Sequence, residues 1–115
     1  MPLFLHQASY TNEAWARLMA NPQDRHEAVR GPIEKLGGRL HHFYFAFGEH
    51  DVVAITEFPD NVSAAAISIA FAAGGAVRNT STTPLMTATE AVEALKRAGS
   101  SGYRSITAGA AAASR

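Results

Sequence analysis

The chain contains no cysteine. That excludes disulfides, thiolate metal sites and cysteine nucleophiles, and it leaves the redox compartment open. It has no excess of either charge, because Lys plus Arg and Asp plus Glu each number 10 among 115 residues. The electrostatic case for nucleic acid or an anionic membrane surface is therefore absent. It has no apolar run long enough to span a bilayer; the longest, residues 64–76, is interrupted by Ser68. The first residues, Met1-Pro2-Leu3-Phe4-Leu5-His6, lack the basic lead and apolar stretch of a signal peptide. The expectation is a cytoplasmic protein with neither membrane nor nucleic acid as partner. Motifs are equally sparse. There is no HxxxH or HExxH spacing and no GxSxG elbow, and Gly74-Gly75 followed by Arg78 lacks the Lys of a phosphate loop. No metal and no cofactor is expected.

What is present is one modest domain's worth of apolar residues, 47% of the chain. Residues 3–10 alternate as a strand, with Phe4, His6 and Ala8 on one face and Leu3, Leu5, Gln7 and Ser9 on the other. Thr11 or Asn12 caps a helix carrying Trp15, Leu18 and Met19 on one stripe. Asn21-Pro22 interrupts it, and the helix restarts at Pro22. Ala28 or Val29, Ile33 and Leu36 continue the stripe as far as Gly37-Gly38, and Pro32 predicts a kink or break within it. Residues 40–47 and 52–58 form a hairpin. Phe43, Phe45 and Phe47 share one face of its first strand, and Leu40, His42, Tyr44 and Ala46 share the other. Both faces of the hairpin are apolar or aromatic, which predicts a sheet covered on both sides. Residues 62–73 form a helix that is apolar on nearly every side, so a partner subunit is expected to cover part of it. A Thr-rich strand spans residues 76–86. Thr87-Ala88-Thr89-Glu90 is a capping box that opens a last helix with Val92, Leu95 and Ala98 inward. The order β-α-β-β-α-β plus a terminal helix is the ferredoxin-like, α+β arrangement. The domain is expected to occupy residues 1–99, with a small-residue, disordered tail at 100–115.

The hairpin turn reads Gly48-Glu49-His50-Asp51. Gly48 is expected at a positive φ or in a tight turn, with Asp51 closing the turn by accepting backbone hydrogen bonds. This turn resembles the signature of the GYD-domain family of small bacterial proteins, with His50 where that family usually has Tyr. Gly37-Gly38 before the second strand, Pro59-Asp60 after the third and Val77-Arg78 opening the fourth belong to the same resemblance, which covers roughly residues 3–90. It implies a place in the dimeric α/β-barrel superfamily, in which two such sheets pack face to face as a homodimer.

The candidate site follows from face parity and from the signature turn. His42, Tyr44 and His50 are the candidate catalytic residues, and His6, Asp51 and Arg78 the candidate ligand-binding residues, over a pocket lined by Phe4, Leu40 and Ala54. A histidine beside a carboxylate can move protons, and Arg78 can orient a carboxylate or enol. The competing reading makes His42 and Tyr44 interface residues and leaves Asp51 to hold the turn. Two functions follow. One is a protein that binds a small hydrophobic molecule in the barrel, for which the resemblance to a superfamily of cofactor-free monooxygenases, isomerases and cyclases implies a cofactor-free reaction of proton-transfer, isomerase or monooxygenase type. The other is a non-catalytic structural or regulatory dimerisation module.

Overall fold

The structure is a computed structural model, and it describes residues 1–106. The part of the expected tail at residues 107–115 lies outside the described residues. The elements run β1 (Leu3–Tyr10), α1 (Asn12–Ala20), α2 (Arg25–Lys35), β2 (Arg39–Phe45), β3 (Val52–Glu57), α3 (Asn61–Ala73), β4 (Val77–Leu85) and α4 (Ala88–Gly99). They fall into two compact units, Met1–Leu85 and the segment from Met86 onward. In the first unit all ladders are antiparallel and the strand order is β2-β3-β1-β4, the ferredoxin-like, α+β topology.

Each helix of this unit starts where a side chain can satisfy the orphan amides of a first turn. The Thr11 hydroxyl accepts from the Ala14 amide, the Asp24 carboxylate from His26, and the Asp60 carboxylate from Ser63. Residues 21–24 separate α1 from α2, so the restart comes at Arg25 rather than Pro22. Pro32 does not end α2. The ring deletes one donor, while the Pro32 carbonyl still accepts from the Leu36 amide at 3.3 Å. The helix then closes in a Schellman motif: Gly37 donates to Glu34 O, Gly38 donates to Ile33 O, and Gly37 takes φ +83°.

The core lies between one sheet face and the helices. Phe4, Ile33, Leu40, Ala54, Phe58, Ala64 and Ile67 form its main cluster, and Tyr10, Ala14 and Val52 a second. In α1 it is Ala14 that is buried, while Met19 is exposed and Trp15 lies edge-on to Tyr10 at 5.1 Å. One parity differs from the sequence expectation. The β2–β3 register shifts between Leu40 and His42, so His41 is the extra residue of a bulge. Leu40 therefore pairs with Thr56 on the helix-covered face and is separated from His42 and Tyr44, which lie on the open one. That open face carries Leu3, Leu5, Val53 and Ile55, all half-buried within one chain. The helix α3 buries Ala64 and Ile67 but leaves Ile69 67% exposed.

In the second unit, Thr87 and Glu90 form the expected capping box of α4. Val92 and Leu95, expected inward, are exposed. The described part of that unit has no second element against which its apolar stripe can pack.

Candidate functional site

Between the sheet and helices α2 and α3 lies a cavity of about 270 Å³. Its apolar walls come from Val29 and Ile33 on α2, Phe71 on α3, and Phe43, Val52 and Ala54 on the strands. The strands place these side chains inside because each belongs to the parity of the buried face, and the two helices roof the middle of the sheet. Small residues at Ala8, Ala54 and Ala70 leave the space unfilled.

His6 is the polar centre of this cavity. Its partners on the neighbouring strands are Ala54 and Thr82, and its ring meets two hydroxyls, of Thr56 and Thr82, the second of which continues to Ser68. The Ser68 hydroxyl lies 3.0 Å from the Ala64 carbonyl and 2.5 Å from the Thr82 hydroxyl. Thr82 Oγ1 is 3.3 Å from His6 Nδ1, and His6 Nε2 is 2.7 Å from Thr56 Oγ1. Proton counting orders the chain. Ser68 spends its one proton on the Ala64 carbonyl and so accepts from Thr82. Thr82, its own proton spent, accepts from Nδ1–H. Nε2 is then bare and accepts from Thr56. A second proton, on Nε2, would require Thr56 to turn its hydroxyl from donor to acceptor. Burial also disfavours the charged ring, lowering its pKa from 6.5 to about 4. His6 is a neutral imidazole at neutral pH, with both ring nitrogens engaged by hydroxyls.

Tyr10 and Arg25 also line the cavity. Burial raises the Tyr10 phenol above its ordinary pKa, with Arg25 opposing through charge and hydrogen bonding and Asp51 adding to the rise. The phenol therefore stays a donor. Arg25 donates to Gln23 Oε1 at 2.7 Å.

The residues singled out in the sequence do not form one cluster within the chain. His42 and Tyr44 do meet: their rings stack with centroids 5.9 Å apart, and Tyr44 Oη lies 3.3 Å from His42 Nδ1. They sit on the open face of β2, whereas His6 points to the opposite side of the sheet, into the cavity. Arg78 opens β4 opposite Ser9, at the far edge of the sheet from β2. Three strand spacings, roughly 14 Å, separate those edges. His50 is half-buried at the hairpin. Of the three residues expected to line a common pocket, Ala54 lines the cavity, while Phe4 and Leu40 belong to the core beside it.

The signature turn has a different internal logic from the expected one. Gly48 is not among the positive-φ glycines of the described residues, and a Cβ there would meet open space. The Asp51 carboxylate reaches away from the hairpin. It accepts from the Tyr10 amide at 2.9 Å and from Trp15 Nε1 at 3.3 Å, which ties the turn to the end of β1 and to α1. The two positions therefore differ in what a substitution costs. Gly48→Val is expected to change stability by less than about 0.5 kcal/mol, as at an unconstrained surface position. Asp51→Ala is expected to cost about 1.5–3 kcal/mol, the range for hydrogen bonds to a charged group. Urea midpoints of the two variants check this; a Gly48→Val loss larger than that of Asp51→Ala would refute the assignment.

Tyr10, Arg25, Thr56, Ser68 and Thr82 were not singled out from the sequence. Thr56 and Thr82 share the buried parity of their strands, and Ser68 is a polar residue in an otherwise apolar helix. Those three signals were readable. Nothing in the sequence marks Arg25, which reaches the cavity through the packing of α2.

Comparison with known protein families matches the GYD domain over residues 4–95 of the chain. The chain belongs to the GYD-domain family. The ferredoxin-like topology is consistent with the dimeric α/β-barrel superfamily to which that family was related above. Comparisons with curated proteins and with solved structures gave no match. Among the described residues of this GYD domain, no helix is long and apolar enough to cross a membrane.

Proposed function

We propose that this GYD-domain protein binds a small hydrophobic molecule in the cavity between its sheet and helices α2 and α3, with His6 facing the occupant. The observation that carries this reading is an apolar cavity built around one neutral, fully hydrogen-bonded histidine. Ligand sites are concave and mostly apolar, with few polar groups that fix orientation. An engineered cavity of ~150 Å³ accepts benzene, so about 270 Å³ suits a substituted single ring. His6, fixed by its hydrogen bonds to Thr56 and Thr82, gives the apolar site a neutral polar side that orients such an occupant. His42 and Tyr44 belong to the open face and serve a second copy of the chain instead.

That pairing is the second element of the reading. Leu3, Leu5, Val53 and Ile55 lie half-buried on a sheet face that no helix of their own unit covers. A two-fold axis lets such a face cover itself as a homodimer. Light scattering at micromolar concentration is expected to give twice the chain mass, and a stable monomer would remove this part of the reading. A dimer with no ligand uptake would favour the dimerisation module over the binding protein.

The binding test uses isotope-labelled protein titrated with phenol, indole and benzyl alcohol. Amide shifts are expected at Ala8, Ala54, Phe71 and Thr82, together with a rise in melting temperature. Ala54→Leu fills the cavity and is expected to abolish both. Shifts confined to the open sheet face, or none at all, would overturn the proposal without reference to the variant.

A further inference from the structure

The charge inside the cavity is unbalanced. Among the described residues, Arg25 is the only permanently charged side chain in its lining, and no Asp or Glu lines it. The remaining polar side chains are Gln7 and the hydroxyls of Tyr10, Thr56, Thr80, Ser68, Ser81 and Thr82, with His6 held neutral. Three arginines outside the cavity meet carboxylates, Arg17 with Glu13, Arg30 with Glu27 and Glu34, and Arg97 with Glu93, whereas Arg39, Arg78 and Arg104, which do not line it, form no such pair among the described residues. Arg25 has no carboxylate within 4 Å among the described residues, although it is half-buried. Its polar partners are neutral, the side-chain amide of Gln23 and the Tyr10 phenol. A partly buried guanidinium gains most from a bidentate anion, and a cavity wall of low polarity strengthens that attraction.

Resting on the binding reading above, we infer that the occupant is a small organic monoanion: an apolar ring bearing a carboxylate or an enolate, held by Arg25. The Tyr10 hydroxyl, in the same part of the lining, supplies a further neutral donor to the anion. His6 lies four residues along β1 from Tyr10, at most roughly 13 Å by strand rise. The apolar ring therefore extends from the Arg25 end toward the imidazole, between Phe43, Val52 and Ala54. One positive charge sets the ligand charge at minus one. A dianion would leave a buried charge unmatched, and an ammonium would meet a like charge.

The test compares three isosteric probes on the full chain by calorimetry and amide shifts: phenylacetate, phenylacetamide and phenethylamine. Phenylacetate is expected to bind at least about tenfold more tightly than the amide, and the amine is expected not to bind. That advantage is expected to vanish in Arg25→Met, to survive in part in Arg25→Lys, and to persist in the surface control Arg17→Met. Circular dichroism of Arg25→Met and Arg25→Gln verifies that the fold is retained. Equal affinity of carboxylate and amide, or an unchanged advantage in both Arg25→Met and Arg25→Gln, overturns the monoanion while the cavity remains a binding site. Failure of all three probes, together with failure of the neutral rings above, overturns both readings.

Discussion

Gly38→Ala is expected to destabilise the protein by about 2–3 kcal/mol, at the upper end for overpacking a core. A Cβ at Gly38 would stand 2.4 and 2.6 Å from two ring carbons of Phe58 and 2.9 Å from the Glu57 carbonyl oxygen. Neither neighbour can retreat easily. Phe58 is 0% exposed and packs edge-on against Phe4 at 6.2 Å and His6 at 6.5 Å. The Glu57 carbonyl belongs to the chain at the end of β3, and moving it would disturb the β1 and β2 ladders. Gly38 itself is held by the hydrogen bond its N–H donates to Ile33 O at 3.0 Å. A domain of this size has only about 5–15 kcal/mol of stability, so the variant should unfold at markedly lower urea. Phe58→Ala is expected to cost about 3–5 kcal/mol through the cavity it leaves. The double variant separates the two causes. With the ring gone, the added cost of Gly38→Ala is expected to fall by at least about 1 kcal/mol, a coupling expected only of groups in contact. An unchanged urea midpoint in Gly38→Ala would show that the strand and ring do not approach so closely.

The second large effect is the pH dependence carried by His6. Its folded pKa, about 4, lies below the ordinary 6.5 because the ring is buried. Between those values the unfolded chain binds a proton that the folded chain refuses, so stability rises with pH across the window. The contribution is fully present above about pH 6.5 and is lost as the pH falls toward 4. A shift of this size corresponds to at most about 3 kcal/mol, reduced by the part of the ring that water reaches. Other groups titrate in acid as well. Glu57 is held low by its hydrogen bond from His41, and Asp60 by its bonds from Ser63. Comparing wild type with His6→Phe at pH 7.5 and 4.5 cancels those contributions. The wild type is expected to lose the larger share of its stability on acidification, and parallel losses in the two proteins would refute a buried neutral His6.

Much of the fold was legible because its determinants are local. Helix starts at Thr11 and Thr87 depend on one side chain reaching an amide three residues ahead. The Gly37-Gly38 stop depends on a backbone conformation that few other residues adopt. Strand alternation in β1 and β3 places Phe4 with His6 and Ala54 with Thr56 by period alone. The errors arose where a single residue changes the count or where a partner is distant in sequence. The bulge at His41 moved Leu40 to the other face. Gly48 suggested a strained turn because glycine permits one, although the chain there does not use that freedom. Asp51 was read as closing its own turn, whereas its partners are Tyr10 and Trp15, about 40 residues earlier.

The sequence by itself determined the element order, the ferredoxin-like class and the family, since capping, periodicity and turn chemistry act over a few residues. Tertiary structure alone decided what those elements enclose. His6 faces a cavity because α2 and α3 cover that side of the sheet. His42 and Tyr44 are parted from His6 because the pleat and the bulge send them through the other face. Arg25 meets Tyr10 only because packing brings the first turn of α2 over the end of β1. Such contacts are sums over many distant residues, and no local pattern in the chain encodes them individually.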